Sequence, residues 1–123
     1  MMKLFDDATP IFQQVAEVIE RDIVQGVYGD DDPLPSTNEL AVFYRINPAT
    51  AAKGLNLLVS QQIAYKKRGI GMFVNRGARD QLVARKKQEF VDRDVRTLTS
   101  NARALGIDLD ALCALIAQEY PHD

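Results

Sequence analysis

Ile11, Val15, Val18, Ile19 and Ile23 recur at the spacing of one helix face, and Gly26 closes the run. With Thr9 as N-cap and Pro10 as first helical residue, this pattern predicts a helix over roughly residues 10–25. The glycines, acids and prolines from Gly26 to Pro35 then favour turns and make a connector. Ser36-Thr37-Asn38-Glu39 fits a capping box, in which the Ser hydroxyl and the Glu carboxylate satisfy each other's backbone N–H groups. Leu40, Ala41, Phe43 and Tyr44 follow it, so a short helix spans roughly 36–44.

A second start signal comes almost at once. Asn47 as N-cap and Pro48 as first residue open a stretch bearing Ala51, Leu55, Leu58 and Val59, a helix running to about Gln61. Two helices separated by so short a link must turn sharply against each other, which is the helix-turn-helix arrangement. Ile63 to Lys67 and Met72 to Asn75 are strand-like, and Arg68-Gly69-Ile70-Gly71 between them supplies the positive φ angles of a hairpin, the wing. From Arg79 the pattern is helical again, with Val91, Val95, Leu98, Ala102 and Leu105 spaced as an apolar seam until Gly106. Asp108 caps a last helix carrying Leu109, Leu112, Leu115 and Ile116 and ending near Tyr120-Pro121. The fold class expected is mainly α with a small β-hairpin. It comprises a winged helix-turn-helix over residues 1–76 and a two-helix dimerisation tail over 77–123.

Charge changes the picture. A net charge of −2 speaks against a nucleic-acid partner, yet Leu40 to Arg79 holds Arg45, Lys53, Lys66, Lys67, Arg68, Arg76 and Arg79 and no acid at all. The acidic N-terminus lacks the basic and apolar regions of a signal peptide, and no apolar run is long enough to span a bilayer, so a cytoplasmic protein is expected. One cysteine, Cys113, and one histidine, His122, offer neither an internal disulfide nor a zinc site, and no cofactor is expected. Cys113 lies among Leu112, Leu115 and Ile116, where core packing is the expectation. Ser36 and Thr50 have no histidine to activate them, and the glycines of the wing open no helix that would make a phosphate loop, so no catalytic site is expected.

A helix-turn-helix reads DNA with its second helix in the major groove. Asn47 can bond backbone or base edge, Thr50 a phosphate or base, the Ala49 methyl a thymine methyl, and Lys53 phosphate or guanine. Taken singly, Asn47 is equally well a plain N-cap and Lys53 a solvated charge. Lys66, Lys67 and Arg68 beside a glycine turn suit a wing that presses on the minor groove or the backbone.

The blocks Leu34-Pro35-Ser36-Thr37-Asn38-Glu39-Leu40-Ala41, Ile46-Asn47-Pro48-Ala49-Thr50-Ala51-Ala52-Lys53 and Arg68-Gly69-Ile70-Gly71-Met72-Phe73-Val74 resemble, in order and spacing, the DNA-binding domain of the GntR family. The short tail resembles that of the YtrA subfamily, where it dimerises the protein. The resemblance implies a homodimeric, sequence-specific regulator, a repressor by analogy, acting on an inverted-repeat operator in double-stranded DNA. It places DNA contacts at Ser36, Thr37 and Asn38, at Asn47, Pro48, Ala49, Thr50 and Lys53, and at Lys66, Lys67, Arg68 and Gly69. Where many members have Arg, this chain has Asn38, and Ala51 and Ala52 remove bulk from the recognition helix, so no operator sequence carries over.

The dimerisation residues expected are Val91, Val95, Leu98, Ala102, Leu105, Leu109, Leu112, Leu115 and Ile116, since two short helices cannot hide this apolar surface alone. A tail folded back on the winged domain as a monomer is the competing reading. A small-molecule effector is left open. The rival function is a winged-helix protein-interaction module without specific DNA binding, which would lack DNA's steep salt dependence.

Overall fold

The computed structural model describes residues 5–121, so His122 lies outside the described residues. The chain divides into two compact units, the first ending at Ala84 and the second beginning at Arg85. The first contains α1 (Ile11–Val24), α2 (Thr37–Tyr44), α3 (Pro48–Ser60), β1 (Ala64–Lys67), β2 (Gly71–Val74) and the start of α4 (Ala78–Glu89). The second contains the end of α4, a π-helical segment Phe90–Val95, α5 (Arg96–Ala104) and α6 (Leu109–Glu119). The architecture is mostly helical with one two-stranded antiparallel hairpin.

The first unit has a continuous core. Val15, Ala16, Ile19 and Ile23 of α1 pack with Leu40 and Ala41 of α2, Ala51, Leu55 and Leu58 of α3, Ile63, Ala64 and Val74 at the hairpin, and Ala78 and Leu82 of α4. The unit therefore runs on past Arg76, where the sequence pattern places the boundary, because the first turns of α4 are buried in it. Gly54 marks the crossing of α1 and α3: a Cβ there would lie 2.9 Å from the Phe12 carbonyl oxygen and 3.0 Å from Val15 Cγ1. That close approach accounts for a mid-helix glycine, which otherwise costs about 1 kcal/mol relative to Ala.

The capping signals at α2 and α3 appear as expected, but the start of α1 differs. Pro10 is the N-cap, in extended backbone, and Thr9 makes no side-chain cap. The Gln14 side chain instead ties down the preceding segment, donating through Nε2 to the Asp6 carbonyl at 2.8 Å and the Thr9 carbonyl at 2.7 Å. Phe5 is buried there, its ring 5.1 Å from that of Tyr44.

In the second unit Gly106, at φ +73°, ends α5, and Asp108 Oδ1 accepts from Ala111 N at 2.9 Å to start α6. The seam expected along one regular helix is interrupted, since Val91 and Val95 fall in the π-helical segment. Only Ala102 and Leu112 of the expected dimerisation residues are buried in the single chain. Cys113, expected in a core, is exposed, because the α5–α6 hairpin has one inner side and Leu112 occupies it.

Candidate nucleic-acid interface

Three local structures present the residues that the pattern singled out. At the start of α2, Ser36 Oγ accepts from Glu39 N at 3.1 Å, and Ser36 N donates to Glu39 Oε1 at 3.2 Å. The hydroxyl proton of Ser36 is left to donate outward, beside exposed Asn38 and half-buried Thr37. At the start of α3, Asn47 Oδ1 accepts from Ala49 N at 2.8 Å. Its amide NH2 keeps both donors for another partner, with Pro48 and Ala49 exposed and Thr50 half-buried beside it. Both helix starts carry the partial positive charge and free N–H groups that suit phosphate.

The wing is the third. Tyr65 pairs with Phe73, Lys66 with Met72 and Lys67 with Gly71 across the antiparallel register. The tip is tight: Ile70 N donates to Lys67 O at 3.0 Å, and Gly69 takes φ +77°, a conformation that suits glycine. Lys66, Arg68 and Gly69 are exposed. Lys67 is also exposed, its ammonium 4.9 Å from the centre of the Phe73 ring.

What holds the wing is only partly visible as sequence. The connector does more than turn: Leu34 N donates to Met72 O at 2.8 Å, Asp31 N to Val74 O at 2.9 Å, and Pro33 bridges Phe73, so it lies along β2 as a third edge. Asp31 then clamps the far side. Tyr65 Oη donates to its Oδ1 at 2.8 Å and Arg76 Nε to its Oδ2 at 2.6 Å. The Arg76 hydrogen bond, helped by that of Tyr65, holds the Asp31 carboxyl below the usual carboxylate range. Asn75 Nδ2 donates to Gln62 O at 2.7 Å, anchoring the end of the hairpin to the turn after α3.

These pairings redistribute the basic block. Arg76 is spent on Asp31, and Arg79 donates through Nε to Val24 O at 3.0 Å. Lys53 sits with its ammonium 4.2 Å from the centre of the Phe12 ring on α1. Lys66, Lys67 and Arg68 are exposed together at the wing, and Arg45 is exposed apart from them at the end of α2. Ser36, Thr37 and Asn38 share with Lys66, Ile70 and Gly71 a groove of about 500 Å³ between α2 and the wing. Asn47, Pro48, Ala49 and Thr50 do not line that groove and stand at the separate start of α3. Among the described residues no group of His, Cys, Asp and Glu is placed to hold a metal ion, and no helix is long and apolar enough to cross a membrane.

Comparison with known proteins places this geometry. The chain is 29% identical over 105 residues to the HTH-type transcriptional repressor YtrA of Bacillus subtilis, an alignment covering 85% of this chain and 80% of YtrA. It is 28% identical to the repressor NagR of the same organism, where the alignment covers 91% of this chain but 48% of NagR. Among solved structures it is similar to a GntR family transcriptional regulator from Listeria monocytogenes. The identity there is 28% and the TM-score 0.75, with coverage of 94% of this chain and 100% of the other. AraR(DBD) in complex with operator ORX1 aligns at 34% identity and TM-score 0.53 over 60% of this chain and 89% of that one. The family model of bacterial regulatory proteins, gntR family, matches residues 11–74, from the first residue of α1 to the last of β2 and so more than half of the chain. The chain belongs to the GntR family of bacterial regulatory proteins.

Proposed function

We propose that this GntR member, a DNA-binding transcription regulator rather than an enzyme, is a cytoplasmic repressor. It acts as a homodimer on an inverted-repeat operator. The observation that carries this reading is the groove in which the capped start of α2 meets the cationic wing. Recognition divides between the parts. The start of α3 enters the major groove, where Asn47, Ala49 and Thr50 face base edges, while Ser36 and Asn38 donate to phosphate and fix the register. Lys66, Lys67 and Arg68 hold the adjacent backbone or minor groove. Lys53 reaches DNA only by leaving the Phe12 ring, an exchange of one cation partner for another.

The tail supports the dimer. Leu105 at 76% and Leu109 at 71% exposure are apolar surface that a single α5–α6 hairpin leaves in water, and a twofold partner covers the same patch on both copies. The names of YtrA and NagR support repression, and the AraR(DBD) complex supports operator binding by the winged unit. Fluorescence anisotropy with duplex DNA over a range of salt tests the reading. Affinity should fall steeply as salt rises, by about 0.9 log units per log unit of salt for each phosphate neutralised. Salt-insensitive binding, or none, would instead favour a protein-docking winged helix.

A further inference from the structure

A second cavity, away from the wing, lies between the C-terminal half of α1, Tyr28 of the connector and α2. Its volume of about 700 Å³ falls in the range of small-molecule sites. Val42 and Phe43 on its wall are 80% and 77% exposed, large apolar side chains to which the fold gives little cover. Tyr28 and Tyr44 add two half-buried rings. Two carboxylates complete the lining. Asp22 is half-buried, and its carboxylate accepts no hydrogen bond and joins no ion pair among the described residues. Glu39 is the capping-box partner of Ser36, so it touches both this cavity and the start of α2. The negative charge is felt by the rings: burial first and then Asp22 push the Tyr28 and Tyr44 phenols up, with Arg21 partly opposing at Tyr44.

We propose that this cavity is an effector site for a small lipophilic cation, an ammonium or phosphonium carried on an aromatic or branched apolar body. Aromatic faces and the Asp22 carboxylate both attract a positive charge, and the apolar wall takes the body that carries it. An anion meets Asp22 and Glu39 with the wrong sign, and a neutral ligand leaves Asp22 as it was. The link to DNA runs through Glu39: a cation beside it competes for the carboxylate that otherwise closes the box on Ser36. This link rests on the reading of Ser36 as a DNA-facing residue. By reciprocity, a ligand that weakens DNA binding is itself weakened by DNA.

Calorimetry of the full chain with tetraphenylphosphonium and with tetraphenylborate, an isostere of opposite charge, separates charge from shape. The phosphonium should bind saturably and the borate should not. Asp22→Asn should weaken the phosphonium by about tenfold while the thermal midpoint stays near that of the parent, since among the described residues the Asp22 carboxylate holds no hydrogen bond or ion pair. Phe43→Ala, at an exposed site, provides a second variant and should weaken it by about fivefold even if Asp22→Asn fails to fold. Equal binding of the two ions, no saturable binding of the phosphonium, or binding untouched in a folded Asp22→Asn overturns the site. DNA affinity measured in saturating phosphonium tests the effector role: a loss supports it, and no change overturns it. A protein that binds the phosphonium but no DNA under any condition sinks the DNA reading while leaving the cation site standing.

Discussion

In the winged unit Ile23, Leu55, Leu58, Ile63 and Leu82 are sealed from water, whereas Leu98, Leu105, Leu109, Leu115 and Ile116 of the tail range from 39% to 76% exposed. Both regions carry leucine, isoleucine and valine at helical positions, so residue type alone does not separate them. The difference is layering. Three helices and a hairpin can surround a common centre, while two short helices have one inner side, filled here by Ala102 and Leu112. The first unit thus holds its own core, and the second leaves most of its apolar surface exposed in the single chain.

Cutting the chain between the two regions breaks the comparison most severely. On the proposed dimer, the full chain should sediment as a dimer and a fragment ending at Ala84 should stay folded, sediment as a monomer and lose about 10²- to 10⁴-fold in operator affinity, because a second reading head would no longer bind as an intramolecular event. The cut belongs after Ala84, since ending at Arg76 removes Leu82, a fully buried side chain. A fragment that still dimerises would move the interface to the winged unit.

Paired truncations sharpen the contrast within the intact chain. Leu58→Ala should cost about 2–5 kcal/mol in denaturant unfolding. Leu109→Ala should leave the unfolding of dilute monomer within about 0.5 kcal/mol and instead weaken self-association, seen as a shift of the sedimentation midpoint to higher concentration. Matching losses of monomer stability would mean that the tail has a core of its own.

A smaller effect is expected at the DNA face. Changing Lys66, Lys67 and Arg68 together to Ala should lower affinity for all sequences and reduce the log–log salt slope by about 0.9 for each phosphate no longer neutralised. Thermal stability should hardly move, because these side chains are exposed. An unchanged slope removes the wing from the interface.

The smallest effect concerns pH. Asp31 has its carboxyl held below the ordinary range by Arg76 and Tyr65, so its contribution is fully present above the unfolded-state value and is lost as pH falls through the lower folded value. The hairpin end near Arg76 should therefore loosen in the acid range before the helices melt, visible as amide exchange at Val74 to Arg76. Asp31→Asn should exchange there at a rate that no longer depends on this titration. An acid-insensitive parent would contradict the clamp.

How much of this is legible in the sequence depends on whether the cause is local. Ser36 with Glu39, Asn47 with Pro48, and Asp108 each state a helix start within a few residues, and each cap forms. The three GntR blocks likewise sit at three local structures, two helix starts and a hairpin turn. What escapes depends on distant partners. Thr9 carries the residue type of a cap, yet Gln14 and the segment from Asp6 set the start of α1 at Pro10. The basic block could not reveal that Arg76 would face Asp31 across the wing. The π-helical turn at Phe90–Val95 has no residue signature, so a regular seam is the natural expectation there. Gly54 does offer a signal, since a glycine inside an otherwise good helix implies close backbone approach.

Selection of bound sequences from a random duplex pool by the full-length protein tests most directly the claim that two winged units, joined through their tails, read DNA together. The account predicts enrichment of two inverted half-sites with centres about one helical turn, or a multiple of it, apart. Enrichment of a single half-site, of direct repeats, or of no sequence at all would contradict it.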